Sequence, residues 1–128
     1  MSQEGIALGE EGEEETVTYL KKRGYTILEK NYRCELGEID IIAREKNYMA
    51  FIEVKTRESL SYGLPQLAVG KRKQRQISRV ALYYLTEQGL LGKADCRFDV
   101  VAVTKSDKGE QIELIKDAFR LEGSHYTF

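Results

Sequence analysis

The chain has 128 residues, 20 of them basic and 21 acidic, a formal charge of −1 and 41% hydrophobic residues. That supplies one core, and residues 1–128 are expected to form a single domain. No run approaches the ~20 apolar residues of a membrane-spanning helix, and near-neutrality argues against strong general attraction to nucleic acid.

The first fifteen residues carry six glutamates, no base and no apolar stretch, so no secretory signal is expected. A first helix is predicted from Gly12 to Arg23, with Gly24 as its stop. At about 100° per residue, Glu13, Val17 and Leu20 share one stripe while Glu14 and Glu15 point elsewhere. Three strand-like runs follow. Tyr25–Tyr32 is mixed, and Cys34–Gly37 reads as a turn. Glu38–Arg44 alternates, with Ile39, Ile41 and Ala43 on one face and Glu38, Asp40 and Ile42 on the other. After a polar turn at Glu45–Asn47, Tyr48–Lys55 places Met49, Phe51, Glu53 and Lys55 opposite Tyr48, Ala50, Ile52 and Val54. Apolar residues on both faces mark interior strands.

Thr56–Gly70 contains Gly63, Pro65 and Gly70 and reads as a loop. A second helix, Lys71–Gln88, has Ile77, Val80, Ala81 and Tyr84 as its core stripe, with Lys73 and Gln74 at the edge of that stripe. Lys71, Arg72, Lys73, Arg75 and Arg79 put five cations into nine residues, and Arg72, Arg75 and Arg79 face outward. Such a run is most simply a solvated face; it also suits phosphate contacts along a duplex. A long strand, Arg97–Thr104, and a shorter one, Gln111–Ile115, complete the order α-β-β-β-α-β-β, the pattern of an α/β fold: a mixed sheet of about five strands flanked by helices. Cys34 and Cys96 have no metal-site or disulfide spacing and imply free thiols in a reducing, cytoplasmic setting. Asp99, among apolar neighbours, suggests an ion pair with Arg97 or with a basic residue of the second helix, and His125 lies too near the C-terminus to act as a general base. Tyr25, Tyr32 and Tyr84 fit core positions better than base-stacking ones.

Asp40 lies on one interior strand, and Glu53 with Lys55 on the next. Burying such groups is costly unless they neutralise one another or bind a cation. Two carboxylates and a backbone carbonyl form a suitable partial shell for Mg²⁺. A nearby ammonium could orient a water, which completes the parts for metal-assisted phosphodiester hydrolysis. The plainer alternative is an ion pair between Glu53 and Lys55 at an exposed strand end, since E-x-K alone is common. Asp40 on the preceding strand and Glu13 facing inward favour the functional alternative.

With these residues in view, the chain resembles the YraN family. The resemblance runs from Gly12-Glu13 through Asn31-Tyr32-Arg33-Cys34, Glu38-Ile39-Asp40 and Phe51-Ile52-Glu53-Val54-Lys55-Thr56-Arg57. It continues through Tyr62-Gly63, Lys73-Gln74-Arg75 and Arg97-Phe98-Asp99 to Asp117-Ala118-Phe119. That family is grouped with Holliday-junction resolvases in the restriction-endonuclease-like, PD-(D/E)xK superfamily. The resemblance implies a restriction-endonuclease-like α/β fold and a metal-dependent DNA endonuclease, acting on branched or flapped DNA. It also implies Asp40, Glu53 and the Val54 carbonyl as ligands of Mg²⁺ or Mn²⁺, Lys55 as the water-positioning amine, and Glu13 as an outer or second-ion ligand. Arg57, Lys73, Gln74, Arg72, Arg75 and Arg79 are the expected nucleic-acid contacts. Thr16 stands where the family often has Ala, and Gly70-Lys71 where Thr-Pro is more usual. Two-strand cleavage would favour a homodimer. The competing expectation is a non-catalytic module that binds nucleic acid or protein on the same fold.

Overall fold

The computed structural model describes residues 13–57 and 69–120. The first helix, α1, covers residues 13–22 and ends at Gly24, whose positive φ of 90° lets the chain reverse into the sheet. Strands β1 (Tyr25–Cys34), β2 (Gly37–Glu45) and β3 (Tyr48–Arg57) follow as an antiparallel meander. Helix α2 (Lys71–Glu87) then lies between β3 and its parallel neighbour β4 (Asp95–Ser106), and β5 (Gly109–Phe119) closes the order antiparallel to β4. The result is one mixed, open sheet in the order β1-β2-β3-β4-β5, an α/β architecture consistent with the restriction-endonuclease-like fold.

The period-2 pattern of β2, β3 and β4 explains why a helix covers each face. On one side, Ile77, Val80, Ala81, Tyr84 and Leu85 of α2 pack on Ile42, Met49, Phe51, Phe98 and Val100. On the other, Leu20 of α1 packs on Ile41, Ala43, Ala50, Ile52, Val101 and Val103. Each such buried Leu or Ile contributes roughly 1.5–3 kcal/mol, which holds both helices against the sheet. No helix among the described residues is long and apolar enough to cross a membrane.

Several sequence expectations need correction. β3 runs on through Thr56 and Arg57, expected in the loop, because its parallel ladder continues as Thr56↔Val103 and Arg57↔Thr104. Glu45, expected in a polar turn, is the buried last residue of β2. The alternation predicted for β2 also fails at one point. Ile41 and Ala43 face α1, whereas Ile39 packs with the cluster beneath α2, so the strand changes face around Asp40. The expected loop positions Gly63 and Pro65, and His125, lie outside the described residues.

Candidate active site

That change of face places Asp40. In the β2/β3 ladder the last matched pair is Ile41↔Ile52, so Asp40 and Glu53 would come next; in the β1/β2 ladder the pairs around Asp40 are Lys30↔Ile41 and Tyr32↔Ile39. Asp40 is therefore absent from both ladders. Its opposite number on β1, Asn31, has a φ of +53°, a left-handed conformation that Asn tolerates better than most residues. In place of a backbone partner, the Asp40 carboxylate (Oδ2) accepts the Val54 N–H at 2.8 Å. One side chain thus closes the gap between β2 and β3 and is itself fixed in direction.

Glu53, next to Val54, is 7% exposed and shares the α2 face of β3 with Phe51. Its carboxyl lies against that of Asp40. Burial first, then the negative charge of Asp40 and the contact with it, push the Glu53 carboxyl up to about 8, while Lys73 and Lys55 oppose the rise. Two carboxyl groups thus meet, that of Glu53 buried and that of Asp40 half-buried. Among the described residues, no lysine or arginine forms an ion pair with either one.

A second buried acidic group, at a neighbouring level but on the opposite face of the sheet, shows what a purely structural solution looks like. Asp99 (Oδ1) accepts the Asp117 N–H at 2.9 Å where the β4/β5 register shifts, much as Asp40 does with Val54. Here, however, the charge is answered. Arg97 contacts Asp99 at 2.8 Å and Glu45 at 3.0 Å, Lys116 contacts Glu45 at 3.1 Å, and the Tyr25 hydroxyl donates to Asp99 at 3.0 Å. Of the two partners expected for Asp99, Arg97 is the one the structure supplies, within a larger network. Two acids and two bases are matched with short contacts there, and among the described residues the Asp40–Glu53 pair has no such match.

The remaining expected residues are distributed as follows. Lys55 and Lys73 are half-buried and are the two cations that act on Glu53. Arg57 is half-buried on β3, and its Nε donates to Thr104 Oγ1 on β4 at 3.2 Å. The Gln74 carboxamide is turned back onto the Val69 carbonyl at 2.8 Å. Arg72, Arg75 and Arg79 are exposed on the outer side of α2. Glu13, half-buried at the start of α1, accepts a hydrogen bond from Asn31 Nδ2 at 3.0 Å. Glu13 is held beside the strand position that faces Asp40, yet no three acidic, His or Cys side chains converge on one point among the described residues. Glu38 is ion-paired with Arg33 at 2.7 Å and half-buried. Asn31, which orients Glu13, does not stand out as a site residue in the sequence. Its one signal is an Asn inside an otherwise strand-forming run.

Comparison with known proteins adds the following. The family profile described as uncharacterised protein family UPF0102 matches residues 12–103. A UPF0102 protein of Syntrophus aciditrophicus is 52% identical over 118 residues, covering 92% of each chain. One from Geobacter metallireducens is 52% identical over 121 residues, covering 94% of this chain and 98% of its own. A third, from Lachnoclostridium phytofermentans, is 49% identical over 112 residues, covering 88% of this chain and 92% of its own.

Proposed function

Since the chain belongs to the UPF0102 family, the one its sequence resembles under the name YraN, we propose that it is a metal-dependent nuclease acting on branched or flapped DNA. The observation that carries this reading is the meeting of the Asp40 and Glu53 carboxyls at a break in the β2/β3 ladder, without the matched cations found around Asp99.

A divalent cation fits that donor set. Its oxygens are hard, and Mg²⁺ is commonly held by one or two carboxylates while keeping several waters. The crowding that raises Glu53 is relieved by positive charge between the two carboxyls. Asp40, Glu53 and the Val54 carbonyl would hold Mg²⁺ or Mn²⁺. A bound cation would offset charge on a phosphoryl oxygen and make a coordinated water more acidic at neutral pH. Lys55, two residues along the same strand face, would hold the attacking water or a phosphate oxygen by its ammonium. Glu13, through Asn31, would act at the outer edge of the site. The exposed Arg72, Arg75 and Arg79 would meet backbone phosphates, and Arg57, tied to Thr104, would sit at the same sheet end as the acids. Cleavage of two strands would need two copies of the site, which favours a homodimer.

The competing reading, a non-catalytic module that binds nucleic acid or protein, is supported by one specific feature. Among the described residues only two carboxylates converge, and Glu13 is engaged by Asn31. Incubation with single-stranded, duplex, flap and four-way DNA, with and without Mn²⁺, separates the two. The nuclease reading predicts metal-dependent cleavage that Asp40→Asn and Lys55→Ala abolish. Binding that survives both substitutions, with no cleavage of any substrate, supports the module.

A further inference from the structure

Helix α2 begins against electrostatic convention. Its N-cap is Gly70, which offers no side-chain acceptor, and its first turn has no acid but contains Lys71, Arg72 and Lys73. Cations at a helix N-terminus oppose the macrodipole and cost stability unless something else attracts them. Exposure to solvent tempers that cost for Lys71 and Arg72. Lys73 differs because it is half-buried. It lies one turn before Ile77, at the edge of the stripe that packs on β3.

Topology fixes what lies beneath it. Because β3 and β4 are parallel and α2 connects them, the helix starts at the end of the sheet where β3 finishes. Further along, Tyr84 of α2 meets Phe51 of β3 edge to face, with ring centroids 6.2 Å apart. From Phe51, the α2 face of β3 continues toward its end through Glu53 and Lys55, and α2 runs back from Tyr84 through Ile77 to Lys73. The neighbouring polar candidates on the first turns are already occupied. Gln74 bonds the Val69 carbonyl, and the Gln76 side chain lies against Gly37, where an added Cβ would come within 2.8 Å of it.

We propose that Lys73 is a positioning residue, an ammonium that balances the Asp40–Glu53 pair from the α2 side and turns to a phosphate oxygen once a cation satisfies those carboxylates. Its influence on Glu53, ranked ahead of that of Lys55, agrees with this placement. The second half of the role rests on the metal-dependent reading given above; the first half does not.

The test is a double-mutant cycle on the full chain at about pH 9, where Glu53 is ionised, in the absence of metal, comparing the parent, Lys73→Gln, Glu53→Gln and the double variant. Lys73→Gln should lower Tm by about 4 °C when Glu53 is present and by less than about 1 °C when residue 53 is Gln. Relief of the unfavourable helix-dipole interaction contributes equally to both comparisons and cancels. Lys73→Arg, which keeps the charge, should restore most of the lost Tm. A Mn²⁺ titration by calorimetry supplies the second readout, with Lys73→Gln expected to bind roughly tenfold more tightly because a competing cation is gone. Equal Tm changes in both Glu53 backgrounds would overturn the proposal. Failure of every variant to bind Mn²⁺ overturns the metal-dependent reading instead, and the Tm cycle still decides the partnership of Lys73 and Glu53.

Discussion

The carboxylate of Asp40 accepts the backbone N–H of Val54, the residue that follows Glu53, at 2.8 Å. This bond stands where the β2/β3 ladder stops, so it has both a structural and a chemical consequence. Structurally, it satisfies an N–H that has lost its strand partner. Chemically, it fixes an acid against Glu53.

Substitutions at Asp40 should therefore separate the two consequences. Asp40→Asn retains an oxygen acceptor for Val54 and removes the charge that opposes ionisation of Glu53. Its stability in metal-free buffer should equal or exceed that of the parent. Asp40→Ala leaves the Val54 N–H without its acceptor and should cost about 1–2 kcal/mol. Urea denaturation of both variants reads the difference.

Glu53 should give the protein an unusual dependence on pH. A carboxyl whose affinity for protons is higher in the folded state than in the unfolded chain favours folding in its protonated form. That contribution is full below the ordinary value of 4.5 and is lost as pH climbs from there past about 8. Metal-free stability should thus fall between pH 5 and pH 9 by at least ~1 kcal/mol, since a tenfold change in proton affinity is worth about 1.4 kcal/mol. Glu53→Gln should flatten this part of the profile. Denaturant midpoints across the range measure it, and a parent profile that already matches that of Glu53→Gln would contradict the burial of Glu53 against Asp40.

The Asp99 network should behave in the opposite way. Removing its cation by Arg97→Ala leaves Asp99 and Glu45 buried with one base fewer, at a cost of about 3–5 kcal/mol. Mn²⁺ affinity on the opposite face of the sheet should stay unchanged in the fraction that remains folded. Chemical denaturation paired with metal titration tests both halves of this expectation.

On the outer side of α2, replacing Arg72, Arg75 and Arg79 together by Ala should leave folding within about 0.5 kcal/mol, because all three are exposed. DNA affinity should fall, and the slope of log K against log salt should drop by about 0.9 for each phosphate no longer neutralised. Fluorescence anisotropy at several salt concentrations gives that slope directly.

Much of the fold is legible in the sequence because its signals are local. The period-2 pattern of β3 puts Glu53 and Lys55 on one face, and the 3.6-residue period of α2 sends Arg72, Arg75 and Arg79 outward while leaving Lys73 at the inner edge. What stays hidden depends on pairing between distant segments. Ile39 and Ile41 look equivalent in sequence, yet the break around Asp40, opposite a left-handed Asn31, sends them to opposite faces. Glu45 looks like a turn residue until Arg97 and Lys116, brought in by β4 and β5, neutralise it. Glu13 carries the correct inward stripe, but nothing in its neighbourhood of sequence foretells Asn31 as its partner.

The central claim is that Asp40 and Glu53 together host one divalent cation, and calorimetric titration of the parent protein with Mn²⁺ tests it most directly. The expected result is a single site per chain that Asp40→Asn or Glu53→Gln weakens at least tenfold, while Arg97→Lys, on the opposite face of the sheet, leaves it intact. Undetectable Mn²⁺ binding to the folded parent, or equal binding by the parent and both acid variants, would contradict the account.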